Sequence, residues 1–207
     1  GGEPNAPEIS VGGGIFALYN NVHLEDLKIT GNTAHTGGGA YIYSSDASQE
    51  DLIMKNVIFD GNTAIDDAGS SALVYQASDQ NLEIRNCNFD GNQSSNPNQG
   101  RITASIFGGN FSLVMDSTDF ISNTGQLELY GGGGGNDFTI KNSTFNGIQT
   151  ANTGGALALR GTYIANIEFC QFINNQTYGF GGGALKIENE GNVTISNCNF
   201  LNNQAYD

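Results

Sequence analysis

The sequence predicts an all-β fold, a right-handed parallel β-helix (a solenoid) of about seven coils. Three observations carry that prediction. A Phe-x-x-Asn element returns at nearly constant spacing, a glycine run with a short apolar stretch precedes most of its copies, and apolar and polar residues alternate between the two. Composition agrees. The 207 residues include 30 Gly and 27 Asn, a density that helix interiors do not tolerate. A hydrophobic share of 38% with 12 Phe sets the chain apart from disordered sequences.

The Phe-x-x-Asn element spans Phe59–Asn62, Phe89–Asn92, Phe120–Asn123, Phe172–Asn175 and Phe200–Asn203. Ile29–Asn32 is a variant, and Phe145–Ile148 keeps the Phe but loses the Asn. Successive fourth positions lie 25 to 31 residues apart. A period of that size means stacked units, each too small to bury a core alone. Residues 12–207 read as a single β-helix domain and residues 1–11 as a leader or linker.

Counting from the Phe as zero, position −7 is apolar (Val22, Leu52, Leu82, Leu113, Phe138, Ala165, Val193). So is −5 (Leu24, Met54, Ile84, Met115, Ile140, Ile167, Ile195). Apolar residues two apart mark a half-buried strand. Position −3 holds Asp26, Asn56, Asn86, Ser117, Asn142, Phe169 and Asn197; Asn and Asp tolerate left-handed backbone, so a bend is predicted there. The inward alternation resumes at −2 and 0, and the Asn at +3 is placed at a second corner. The glycine run opens the third side. In the segment Gly183-Ala184-Leu185-Lys186-Ile187-Glu188, Lys186 and Glu188 face water, so Leu185 and Ile187 face in. Alignment assigns the same inward face to Tyr41, Tyr43, Leu73, Tyr75, Leu157 and Leu159.

All three cysteines, Cys87, Cys170 and Cys198, occupy position −2. Cys170 and Cys198 fall in consecutive coils, but stacked in-register strands aim their Cβ atoms in parallel, a poor geometry for a bridge. The three are read as buried free thiols acting as small hydrophobes.

The glycine elements are Gly12-Gly13-Gly14-Ile15, Gly37-Gly38-Gly39-Ala40, Gly154-Gly155-Ala156-Leu157 and Gly181-Gly182-Gly183-Ala184. Interleaved with Phe-x-x-Asn from about residue 12 to 204, they resemble the repeats of the polymorphic outer membrane protein family. Ser70-Ser71-Ala72-Leu73, Thr103-Ala104-Ser105-Ile106 and Gln126-Leu127 depart from the pattern in coils three to five. The resemblance implies a right-handed β-helix displayed on a cell surface, often an adhesive passenger.

Charge excludes other classes. Twenty-one acidic and seven basic residues give a net charge of −14, so a basic face for nucleic acid is missing. No apolar run approaches the ~20 residues of a membrane-spanning helix. β-Helices also carry polysaccharide lyases and hydrolases, which need paired carboxylates. The best pair is Asp66-Asp67, with Arg101 as a substrate clamp; Asp60 and Asp90 share position +1 in adjacent coils. All four acids sit beside Asn or Gly or in loops, where turn chemistry explains them. Lys28, Lys55, Lys141 and Lys186 are dispersed, and His23 and His35 have no ligand spacing, so no metal or other cofactor is expected. The run Gly131–Gly135 lacks the Lys-Ser/Thr of a phosphate loop and reads as a hairpin-like excursion between Tyr130 and Phe138.

Five sequons, at Asn92, Asn110, Asn142, Asn175 and Asn192, are glycosylation candidates, with Asn92 and Asn110 the best placed. Insertions between Tyr43 and Leu52 and between Asn92 and Ile106 are natural recognition loops, and Tyr19, Tyr130, Tyr163 and Tyr178 are read as exposed aromatics. Neither end shows a helical cap. Two accounts fit, continuation in a longer β-helix or copies stacking head to tail, with residues 1–11 bridging to the preceding subunit. The expected role is an extracellular or cell-surface structural and adhesive β-helix, either a subunit of a head-to-tail fibre or an adhesin passenger segment. Its partners are then a second copy or a glycan or cell-surface ligand, without nucleic acid or membrane insertion. A polysaccharide-active lyase or hydrolase is the alternative.

Overall fold

The computed structural model describes residues 10–18, 22–44, 51–65, 69–94, 102–151, 154–188 and 190–206. Among them all regular structure is strand, and successive coils pair in parallel. The fold is the right-handed parallel β-solenoid that the sequence predicts. One side of the rod is a seven-stranded sheet of Lys28–Thr30, Ile58–Asp60, Asn88–Asp90, Asp119–Ile121, Thr144–Asn146, Gln171–Ile173 and Asn199–Leu201. Seven coils are therefore joined by six coil-to-coil steps, each about 4.8 Å.

The other two sides belong to one 12-stranded sheet, because Gln126–Lys141 and Leu157–Glu168 each run through both. On the first side Ile15–Leu18 pairs with Ala40–Tyr43, and on the second His23–Glu25 pairs with Leu52–Lys55. Two-residue strands such as Thr63–Ala64 close every coil but the fourth, where Thr124 makes a single bridge to Gln93.

Corners follow from backbone chemistry. Position −3 has positive φ in all seven coils, from Asp26 (54°) to Asn197 (53°), as the Asn-rich column predicts. The second corner lies at +2 rather than +3: Gly31, Gly61, Gly91, Ser122, Gly147, Asn174 and Asn202 all have positive φ. This frees the Asn at +3 to turn inward, where it does something the turn reading does not anticipate. Asn92 is fully buried. Its Oδ1 accepts from the Asn62 N–H (3.0 Å) and Asn62 Nδ2 (3.0 Å), while its Nδ2 donates to Phe59 O (2.9 Å) and Asn123 Oδ1 (3.0 Å). Asn32, Asn62, Asn92 and Asn123 thus form one ladder, and Asn175 with Asn203 a second (2.9 Å). Ile148 interrupts them, and the short closing strands form one three-stranded sheet in coils 1 to 3 and another in coils 5 to 7, with coil 4 joined to coil 3 by the single Gln93–Thr124 bridge.

Beside the ladder, Phe59, Phe89, Phe120, Phe145, Phe172 and Phe200 stack face to face, with centroids 4.5 to 5.2 Å apart. Positions −5 and −7 complete the core, and Leu52, Met54, Leu82, Ile84, Leu113 and Met115 are buried. On the first side the inward pair is Leu73 with Tyr75 and Leu157 with Leu159, as aligned. In coil 2 it is instead Ala40 and Ile42, because Ala40 pairs with Leu73 and Ile42 with Tyr75. Tyr41 and Tyr43 therefore point outward. The cause is the glycine triplet: Gly39 lies where Ala72 lies in the next coil, and a Cβ there would stand 2.8 Å from the Phe59 ring. Inward Tyr75 gives its hydroxyl to Gln80 Oε1 (2.8 Å), and Gln80 Nε2 donates to Ser44 Oγ (2.7 Å).

Candidate functional site

The catalytic candidates do not converge in the described part of the rod. Asp66, Asp67 and Arg101 lie outside the described residues, as do the central parts of both long insertions and Tyr19. Asp60 and Asp90 are in register on adjacent coils, each one residue before a positive-φ glycine. Lys28 is exposed, whereas Lys55 pairs with Glu25 (3.1 Å), Lys141 with Asp116 (3.5 Å) and Lys186 with Glu188 (2.5 Å). His35 Nδ1 lies 2.8 Å from Ser10 Oγ. Among the described residues no three His, Cys, Asp or Glu side chains gather at metal-binding distance.

Two carboxylates are tuned by their neighbours. Burial raises the Asp116 carboxyl, but hydrogen bonds from Asn142 and Ser117 and the charge of Lys141 outweigh it, and its pKa falls below the usual range. The Lys186 hydrogen bond lowers Glu188 against burial, helped by the charge of Arg160. Both are components of surface ion pairs.

All three thiols are unbridged. Cys87 and Cys170 are buried, and burial pushes the Cys170 thiol up to about 11. Cys198 is a correction: it is only partly buried, because no described coil stacks beyond it. The same holds for Phe200, 46% exposed where its stacked homologues are fully buried.

The sequons divide in two. Asn110, Asn142 and Asn192 are exposed. Asn92 and Asn175 are fully buried, with their amide nitrogens committed to Phe59 O and Phe145 O. Selecting Asn92 for its loop context is therefore corrected, since its column faces inward. Tyr163 is likewise buried, its hydroxyl donating toward the Leu159 and Glu188 carbonyls.

What the geometry does collect lies on the outer face of the first side. Strand register lines up Phe16, Tyr41, Val74, Ser105 and Glu128 in one row, and Leu18, Tyr43, Gln76, Phe107, Tyr130 and Arg160 in the next. Aromatic residues occupy the coil-1 end, with Phe16 and Tyr41 centroids 5.9 Å apart. Charge occupies the other end, where Arg160 meets Glu128 (3.6 Å) and Glu188 (2.9 Å). At this charged end, across coils 5 to 7, an open cleft of about 640 Å³ is lined by Tyr130, Gly131–Gly134, Gly161, Thr162 and Glu190. Sequence reasoning found Tyr130 and the glycine run but took the run for a hairpin. It is a bulge within a continuous strand, Gln126–Lys141.

The second candidate surface is the coil-7 face. A hollow of about 410 Å³ there is lined by Gly182, Gly183, Ala184, Leu185, Phe200, Asn202 and Asn203. No protein-family model, curated protein or solved structure matches the chain.

Proposed function

We propose that the chain is a structural and adhesive β-helix of an extracellular surface, of the polymorphic outer membrane protein repeat type, and that a further coil of the same kind packs on its coil-7 face. The tetrapeptide resemblance supports the family and the location. One observation carries the packing. The coil-7 face repeats the six interfaces already buried, with Ile195 and Phe200 over 40% exposed. Its ladder stops at Asn203, whose Oδ1 accepts from Asn175 but whose own N–H meets no described acceptor. At the opposite end Asn32 donates to Asn62, and its Oδ1 has no described donor. Coil 1 of a second copy thus has the acceptor that coil 7 needs, in a heterologous contact that propagates without closing.

The reading contains no catalytic step, since Asp60 and Asp90 are explained by the turns they precede. Size-exclusion chromatography with light scattering and electron microscopy of the 207-residue chain test the assembly. Concentration-dependent rods lost in Phe200→Asp are expected; a monomer at high concentration sinks it. Turnover on an oligosaccharide panel would sink the non-catalytic reading.

A further inference from the structure

The repeat accounts for nearly every feature of coil 5, but not for its glycine bulge. Gly131 pairs with Gly161 and Asn136 with Tyr163, so coil 5 has four residues where coil 6 has Thr162 alone. The core does not require them: a Cβ added at Gly134 would meet no atom within 4 Å. Yet the bulge is held firmly. Asn136, 2% exposed, donates through Nδ2 to Gly133 O (2.5 Å) and Thr162 O (2.8 Å), and its Oδ1 accepts from Phe111 N–H (3.2 Å). Every polar atom of that side chain serves to fix the bulge against the coil.

The bulge in turn positions an aromatic ring. Tyr130 stands outward, 43% exposed, and a Cβ on Gly132 would lie 3.3 Å from its Cε1. Glycine at that place leaves room for the ring. Gly161, with φ of 88°, allows the two coils to close beneath it, since a Cβ there would stand 2.0 Å from Gly131 O. The result is the cleft of about 640 Å³, within the size range of small-ligand sites.

We propose that this cleft binds a neutral saccharide. It rests on the adhesive part of the reading above and names the ligand class and the place. A sugar ring has an apolar C–H face and a rim of hydroxyls. Tyr130 supplies a flat partner for the face, while the Glu190 carboxylate, the Thr162 hydroxyl and the glycine backbone supply acceptors and donors for the rim. The lining has no basic side chain, and adjacent Arg160 is engaged by Glu128 and Glu188. With a net charge of −14, anionic glycans are repelled.

The test is binding of the 207-residue chain to a panel of neutral oligosaccharides of glucose, galactose, mannose and N-acetylglucosamine, with heparin as the anionic arm. Saturable binding to a neutral member is expected, weakened about tenfold in Tyr130→Ala and weakened less in Glu190→Gln. Tyr178→Ala, on another corner, leaves it unchanged, and an unaltered thermal midpoint shows that Tyr130→Ala remains folded. Saturable binding to no neutral member, a preference for heparin, or equal binding by Tyr130→Ala overturns the proposal. If Tyr130→Ala still adheres to cells as the wild type does, this site fails while the adhesive reading stands.

Discussion

At the scale of single residues, the Asn at +3 is the most sensitive polar position. Asn92→Ala strips two donors of their acceptor and Phe59 O of its donor, all in a dry interior. A loss of about 3 kcal/mol by chemical denaturation is expected, against under about 0.5 kcal/mol for Asn192→Ala, exposed on a strand. Position −3 carries the opposite opportunity. Phe169 is exposed and left-handed (φ 54°) where the other coils place Asp, Asn or Ser. Phe169→Asn supplies a short amide that hydrogen-bonds locally in that conformation and raises stability by about 0.5 to 1 kcal/mol, read as a higher denaturation midpoint. Burial also sets the thiols. Because Cys170 holds its proton up to about pH 11 when folded, its stabilising contribution is complete below the pKa of the unfolded thiol. It is lost as pH rises through the folded value. Alkaline unfolding should therefore be shallower in Cys170→Ala, and Cys198 should react first with a thiol reagent. In a glycosylating host, mass spectrometry should find sugar on Asn110, Asn142 or Asn192, and none on Asn92 or Asn175.

At the scale of strands and sides, legibility tracked periodicity. The −7, −5 and 0 columns were readable because alternation and spacing both report burial, and all seven bends at −3 fell where Asn clusters. Tyr41 and Tyr43 break the alignment because two identical Gly-Gly-Gly-Ala segments differ in register by one residue: Ala40 of coil 2 stands level with Leu185 of coil 7, not with Ala184. The ladder was only half legible: composition showed an Asn at every level, but Asn serves turns and interiors alike, and +2 took the turn. Asn136 was missed because it occurs in one coil only. Ile148 turns this into a measurable contrast. Ile148→Asn gives the Asn123 N–H, which has no described acceptor, the oxygen its homologues have. New hydrogen bonds then offset the apolar area removed, and stability changes by no more than about 1 kcal/mol. Ile106→Asn, equally buried but far from the ladder, loses about 3 kcal/mol or more, since its amide enters the core unpaired.

For the molecule as a whole, charge and stacking oppose one another. Two copies of net charge −14 repel over a distance set by salt, about 10 Å at 0.1 M. Raising ionic strength should therefore speed end-to-end association in light scattering, and a salt-independent rate would argue that the end faces do not meet. The interrupted Asn ladder has one more consequence, a mechanical one. Hydrogen bonds between coils point along the rod, so a load across the end faces strains each interface head-on, with the six interfaces in series. A series fails at its weakest member. The step from coil 4 to coil 5 keeps its stacked Phe120 and Phe145 (5.2 Å) and one closing hydrogen bond, Gln149 N–H to Asn123 O (3.1 Å), but alone lacks both an Asn rung and a closing bridge. Under tension the rod has a built-in fuse, which parts there first and leaves a four-coil and a three-coil segment intact on either side.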